Sequence, residues 1–357
     1  MKDCLKRYLW QLCINKLLDS LETRKLDERI LVTGATGFVG TRLVRRLHEE
    51  GYHVKGLVRP TSNVSRIANL GIEIVRGDAH DIKSLDVATD NVDVIFNTIG
   101  GGCVSTKSRK GRDELRDLNV LSLKNLLEVI RGKPVSKIIH FSSISAMGVQ
   151  ADVELDERSV CKPVTPHEVA KRESEEVALS HFKDFGTPVT ILRPSQIYGP
   201  GDTRSEILKM AKLVKRHFFP LIDGGGYYMP WVYVDDVVDC AVSAMLSGNP
   251  GEIYIVSDKL SFTLRNIVQE IEKTLSTRNS GIYLSKRMAL LVARTSEFAS
   301  RILGVEPFFT TYRVNSVTSN RFVSIEKAAA QLAYQPKTSL ESGMKQTMEW
   351  YGREGFL

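Results

Sequence analysis

The stretch Ile30-Leu31-Val32-Thr33-Gly34-Ala35-Thr36-Gly37-Phe38-Val39-Gly40 constrains this chain more than any other. A β-branched run stops at a glycine cluster, and a helical pattern starts straight after it. Val39, Leu43, Val44 and Leu47 then keep one apolar face until Gly51. A strand, a tight glycine turn and a helix N-terminus together make a seat for a pyrophosphate. Gly34 permits the turn, Gly37 lets backbone amides approach the phosphates, and Gly40 lets helix and strand pack closely. A glycine triplet alone could equally be a structural turn. The flanking strand and helix favour dinucleotide binding.

Length and charge narrow the class. A chain of 357 residues can bury a large core, expected as one α/β domain with a smaller appended lobe. The net charge of +7 suits an anionic ligand such as a phosphorylated cofactor, or an anionic membrane surface. No basic run is long enough to argue for nucleic acid. Cys4, Cys13, Cys103, Cys161 and Cys240 are odd in number, scattered and free of CxxC spacing. That favours a reducing compartment and argues against a disulfide framework or a metal site. No apolar run approaches the ~20 residues that span a bilayer.

Residues 1–28 form a separate extension, in which Leu5, Leu9, Leu12, Leu17 and Leu21 recur among Lys2, Lys6, Arg7 and Lys16. The spacing predicts an amphipathic helix packed on the body or on a second subunit. Peripheral membrane contact is the alternative, and a cytoplasmic location is expected.

From Arg29 the pattern alternates. Strands are expected at His53–Val58, Ile72–Arg76, Val92–Asn97, Lys137–Ser142 and Val189–Arg193, with helices between most of them. This predicts an α/β fold with a doubly wound parallel sheet of the Rossmann kind. Glu114–Ile130 reads as a long helix, and so does Thr165–Phe182, with Thr165 as N-cap and Pro166 in its first turn. The cofactor domain is expected over residues 29–200, with returns at about 230–256. The substrate lobe takes most of 201–357, with Thr203–His217 and Ser257–Lys337 over the carboxyl ends of the strands.

The second strand ends Leu57-Val58-Arg59. An acidic residue about 20 positions after the glycines would bind the ribose 2′-hydroxyl of NAD, whereas an arginine accommodates the 2′-phosphate of NADP. Arg59, with Thr61, Ser62 and Arg66 behind it, favours NADP over NAD; a solvated arginine is the plainer alternative. Asp78, in Arg76-Gly77-Asp78-Ala79, is placed either to meet the adenine amino group or to serve only its turn.

Ordered matches from Arg29 to Tyr351 resemble the extended short-chain dehydrogenases/reductases. They are Thr33–Gly40, Gly77-Asp78, Asn97–Gly100, Asn119, Phe141-Ser142-Ser143, Arg193–Gly201 and Trp231–Val237. The Val58–Ser62 segment looks most like the branch of dihydroflavonol-4-reductase-like and 3β-hydroxysteroid-dehydrogenase-like enzymes. The resemblance implies cofactor contacts at Gly34, Thr36, Gly37, Phe38, Val39, Gly40, Arg59, Asp78, Ala79, Thr98, Lys171 and Pro194. It also implies a homodimer built through two long helices, here Glu114–Ile130 and Thr165–Phe182.

In such enzymes a tyrosine passes a proton to or from the substrate oxygen. A lysine four residues later lowers the tyrosine pKa and binds the nicotinamide ribose, and an upstream serine holds the substrate oxygen. Ser143 and Lys171 fit the serine and the lysine, and Glu175 matches an acidic residue one turn further on. The tyrosine position is His167.

Three readings follow. His167 replaces tyrosine as acid/base, kept largely neutral by Lys171. Alternatively Ser143 or water relays the proton while His167 orients the substrate. Otherwise the site binds cofactor without turnover and the protein regulates or scaffolds a partner. His140 is expected to be packed rather than catalytic, and Asp235 reads as the N-cap of the helix that follows it.

Phe218, Phe219, Tyr227, Tyr228, Met229, Trp231 and the run Met288–Ala293 suit a hydrophobic or polycyclic alcohol or ketone, or else form the core of the small lobe. The expected function is an NADP(H)-dependent oxidoreductase acting on a small apolar molecule. A nucleotide-sugar epimerase or dehydratase is the alternative.

Overall fold

The computed structural model describes residues 28–101, 109–203, 206–279, 281–303, 307 and 309–357. The expected N-terminal helix and Cys103 lie outside the described residues. In chain order the elements begin β1 (Arg29–Thr33), α1 (Phe38–Glu49), β2 (His53–Val58), β3 (Glu73–Arg76), α2 (Ile82–Ala88), β4 (Val94–Asn97), α3 (Arg109–Arg116), α4 (Ser122–Val129) and β5 (Lys137–Phe141). They continue with β6 (Glu154–Leu155), α5 (Pro166–Phe185), β7 (Val189–Pro194), β8 (Gln196–Tyr198), α6 (Glu206–Lys215), β9 (Pro220–Ile222), β10 (Tyr228–Met229), β11 (Trp231–Tyr233), α7 (Val234–Ser247) and β12 (Ile253–Val256). The last group is β13 (Phe262–Thr263), α8 (Leu264–Thr274), β14 (Ile282–Leu284), α9 (Lys286–Leu303), α10 (Thr311–Val317), β15 (Phe322–Val323), α11 (Glu326–Leu332) and α12 (Leu340–Arg353).

Seven strands form one sheet in the order β12-β7-β5-β4-β1-β2-β3, every pair parallel. Alternate residues of each strand feed opposite cores. Ile30, Val32 and Phe96 meet Leu43, Val44, Leu47 and Val237 on one face. Leu31 and Ile95 meet Leu123, Leu127 and Ala178 on the other. Both faces are therefore covered, as an all-parallel sheet requires. Strand order reverses between β1 and β4, so a crevice opens above their carboxyl ends.

The chain returns to this sheet late. β12 pairs with β7 at the edge, and α7 packs on α1. Ala328, Leu332 and Tyr334 also join the main core, although Ser257–Lys337 reads in sequence as lobe. A second core gathers Tyr198, Ile207, Met210, Trp231, Ile267, Met344 and Met348.

The helix expected over Glu114–Ile130 is interrupted. A π-helical turn at Asp117–Leu121 separates α3 from α4. Asn119 Nδ2 donates to the Leu115 carbonyl at 2.8 Å and Ser122 Oγ to that of Leu118 at 2.7 Å, so two side chains engage carbonyls of the i→i−4 ladder. Among the described residues, no helix is long and apolar enough to cross a membrane.

Candidate active site

The glycine turn sits at the crevice. Gly34 has φ +72°, and a Cβ at Gly40 would stand 2.2 Å from the Gly34 carbonyl oxygen. Helix and strand are thus closer than any side chain allows. Gly37 is the N-cap of α1; no side chain caps the helix and no acidic residue lies in its first turn. The free amides and positive end of α1 point to an anion, which is what a dinucleotide's pyrophosphate supplies. Thr98 Oγ1 donates to the Thr33 carbonyl at 2.6 Å, tying β4 to the turn. Thr36, Phe38 and Val39 are part-exposed at the mouth of the turn, and Pro194 closes β7 in a buried position.

At the end of β2, Arg59 is exposed; its carbonyl accepts from Ser62 N at 2.9 Å, and no hydrogen bond or ion pair engages its guanidinium among the described residues. Arg66 is diverted: its guanidinium donates to the Gly201 carbonyl and lies over the Trp350 ring at 5.2 Å. Arg76, not singled out from sequence, donates to the Pro60 carbonyl at 3.0 Å and adds a second positive charge beside Arg59. Asp78 accepts from the His80 backbone and ring, both at 2.9 Å, while Ala79 is buried.

The catalytic candidates meet on α5. Its N-terminus is a capping box: Thr165 accepts from Glu168 N, and Glu168 Oε2 accepts from Thr165 N at 3.0 Å. This fixes where the helix starts, so His167 falls in the first turn and Lys171 one turn below it. Lys171 Nζ donates to the Phe141 carbonyl at 3.1 Å. Ser143 caps a 3-10 turn, Ile144–Met147, that packs against α5; its Oγ accepts from Ser145 N at 3.1 Å.

Burial governs the charges. Desolvation pushes the Lys171 ammonium down to about 8, against the opposing Glu175 carboxylate. Burial, then the Lys171 charge, pushes His167 down to about 4; Glu168 and a bond with the Gly101 backbone oppose the shift. His167 is therefore a neutral imidazole at pH 7, with its Nδ1 buried and without a partner among the described residues.

A neutral chain holds α5 in register with the sheet. Thr33 Oγ1 donates to Asn97 Oδ1 (2.7 Å), and Asn97 Nδ2 donates to His140 Nδ1 (3.1 Å). His140 Nε2 reaches Ser174 Oγ (3.2 Å), which donates to the Lys171 carbonyl (2.8 Å). Burial, then the Lys171 charge, pushes His140 down to about 3, so it is packed and neutral.

Below Lys171, the fully buried Glu175 accepts from Arg193 at 2.8 and 2.7 Å and from Ser142 Oγ at 2.6 Å.

A model of the NAD-dependent epimerase/dehydratase family matches residues 30–257. The chain belongs to this family. It is 28% identical over 338 residues to sterol demethylase protein B of Methylococcus capsulatus, covering 92% of this chain and 99% of that one. It is 23% identical over 347 residues to the decarboxylating sterol-4-alpha-carboxylate 3-dehydrogenase of Saccharomyces cerevisiae, covering 91% and 98%. The UDP-glucuronic acid 4-epimerase from Bacillus cereus, solved with NAD, matches with TM-score 0.74 at 22% identity over 91% of this chain and 99% of that one. This last likeness shows the shared fold. As a member of the epimerase/dehydratase family, the protein is an NAD(P)-dependent enzyme of the extended short-chain type.

Several expectations change on the lobe side of the family fold. Tyr233, not Asp235, is the N-cap of α7; Asp235 faces Arg42 at 3.7 Å. Met229 and Trp231 are core, whereas Phe218 and Tyr228 are exposed.

Three residues went unseen in the sequence. Tyr312 donates to Glu168 Oε1, and burial with that carboxylate pushes its hydroxyl up. Near them Arg321 has its Nε buried without a partner among the described residues, and burial pushes its guanidinium down. Only the Thr165–Glu168 capping spacing could have flagged the first member of this set; Tyr312 and Arg321 follow no local pattern.

Proposed function

We propose that this enzyme is an NADP(H)-dependent oxidoreductase that interconverts a hydroxyl and a carbonyl on a polycyclic, largely apolar molecule. The observation that carries the reading is the His167–Lys171 pair, one helical turn apart on α5, which packs against the turn bearing Ser143. The cofactor when bound supplies or accepts hydride. Gly34, Gly37 and Gly40 would admit its pyrophosphate, Arg59 with Arg76 its 2′-phosphate, and Lys171 its ribose.

Neutral His167 accepts a hydrogen bond from a substrate hydroxyl and takes its proton as the oxygen becomes a carbonyl. Burial, and then the Lys171 charge, keep the imidazole neutral between turnovers. Ser143 holds the substrate oxygen. The two sterol-directed relatives support a polycyclic substrate.

A nucleotide-sugar epimerase or dehydratase is the second reading. Its support is Arg321, a cation near Glu168 whose buried Nε has no hydrogen-bond partner among the described residues and that suits a diphosphate.

Titration with NADPH and NADH, followed by nicotinamide fluorescence, tests the cofactor. Tighter NADPH binding is expected, and Arg59→Ala should erase the preference. Preference for NADH would move the assignment to the second reading. Turnover of hydroxysteroids against UDP- and dTDP-sugars tests the substrate class. His167→Ala should lower kcat by ~10²–10⁴ while NADPH affinity holds; unchanged kcat would remove His167 from the chemistry.

A further inference from the structure

The apolar run Met288–Ala293 reads in sequence as lobe core or substrate wall, and the structure splits it. Ala289 and Ala293 turn inward onto a small core with Ile222 and Val314. Met288, Leu291 and Val292 turn outward, and the same outward stripe continues through Phe298, 66% exposed, to Ile302, 69% exposed. At ~100° per residue these positions recur at i, i+3, i+4, i+10 and i+14, one continuous face along α9. The helix buries its small residues and shows its large ones, the reverse of a helix built only to cover a core.

The charges on α9 are ordered as well. Arg287, Arg294 and Arg301 are exposed and stand at i, i+7 and i+14, in a row along one edge of the apolar stripe. None of the three has an ion-pair partner among the described residues. Glu297, the helix's one acidic residue, is taken up inside, its Oε1 accepting from Thr311 N and Oγ1 at 2.7 and 2.9 Å. The outward face of α9 is therefore apolar and cationic, and no acidic residue of the helix lies on it.

We propose that α9 docks the protein on an anionic lipid surface, its apolar stripe entering the acyl boundary and its arginine row lying among the headgroups. An in-plane helix with large apolar residues on one face and guanidinium groups at the edge suits that boundary. Charge selects this occupant. A second copy docked face to face would bring like arginine rows together, and residues 1–28, with Lys2, Lys6, Arg7, Lys16, Arg24 and Lys25 against Asp3, Asp19, Glu22, Asp27 and Glu28, offer the arginine row no net negative charge. The inference stands independently of the proposed reaction, because no residue of the catalytic or cofactor set lies on α9.

Co-sedimentation of the full chain with vesicles tests it. Binding to mixed phosphatidylcholine–phosphatidylserine vesicles is expected to exceed binding to pure phosphatidylcholine. The triple variant Leu291→Ser, Phe298→Ser, Ile302→Ser should lose at least ~10-fold in affinity. Arg287→Gln with Arg294→Gln and Arg301→Gln should lose the preference for phosphatidylserine. All six positions are exposed, so thermal unfolding should be unchanged and serves as the folding control. Three results would overturn the proposal. One is a wild type that ignores anionic vesicles. Another is an apolar variant that binds them as wild type does, which would move any docking to residues 1–28. The third is an apolar variant that changes only the molar mass by light scattering, which would make the face a contact between copies.

Discussion

Glu175→Gln leaves a guanidinium buried without its counter-charge. Arg193 is 1% exposed and Glu175 fully buried, and two bonds of 2.8 and 2.7 Å join them. Glutamine keeps the shape, but both carboxylate oxygens accept from Arg193, so its NH₂ group faces the guanidinium in either orientation and one bond becomes donor against donor. Breaking such a pair from one side costs ~3–5 kcal/mol, a large share of the ~5–15 kcal/mol that holds a domain together. A second effect reaches the site. Glu175 is the group that opposes the fall in the Lys171 pKa, so without it that pKa should drop below about 8.

Urea unfolding followed by tryptophan fluorescence reads the first effect. The pH dependence of Lys171 modification by an amine reagent reads the second. Because the cost lies in the uncompensated charge, the double variant Glu175→Leu/Arg193→Met should lose much less than the two single losses added together. A Glu175→Gln protein within ~1 kcal/mol of wild type, with Lys171 titrating as before, would refute the reasoning.

Gly40→Ala places a methyl 2.2 Å from the Gly34 carbonyl oxygen, so α1 must move off β1. A loss of ~1–3 kcal/mol is expected, with weakened NADPH binding in the fluorescence titration. Gly37→Ala meets the same oxygen at 3.1 Å and should do less on both counts. His167 and His140 are held at about 4 and about 3, below the ordinary 6.5 of an unfolded histidine. Between these values the unfolded chain binds protons that the folded one refuses. Their contribution is thus fully present above about pH 6.5 and is lost as the pH falls toward 4 and 3. Each adds a slope approaching ~1.4 kcal/mol per pH unit in that window. Urea midpoints of wild type and His140→Asn across pH 7 to 4 check this, and the variant should show the shallower decline.

Much of the fold is visible in local pattern. Gly34 and Gly40 announce the turn because each meets a steric demand only glycine satisfies, with Gly37 the milder case between them. The β2 bounds, His53–Val58, agree with the alternation, and Thr165 and Glu168 mark the start of α5 with their own side chains. The π-helical turn was hidden, since Asn119 and Ser122 look like ordinary polar positions until their bonds to Leu115 and Leu118 are seen. Asp235 looked like a cap from its place before a helix. The helix instead begins two residues earlier, at Val234, and the carboxylate faces Arg42.

The sequence by itself determined the parallel sheet, the glycine turn at the N-terminus of α1, and the four-residue spacing that puts His167 over Lys171. Each is encoded within a turn or two of chain, where sterics and hydrogen bonding act locally. The tertiary structure decided which charges those residues carry and which apolar side chains meet solvent. Glu168 and Tyr312 lie 144 residues apart and meet only through packing. The same holds for Arg193 under Lys171, for Arg321 near Glu168, and for the outward face of α9. Desolvation depends on everything that surrounds a group, and no stretch of sequence carries its own surroundings.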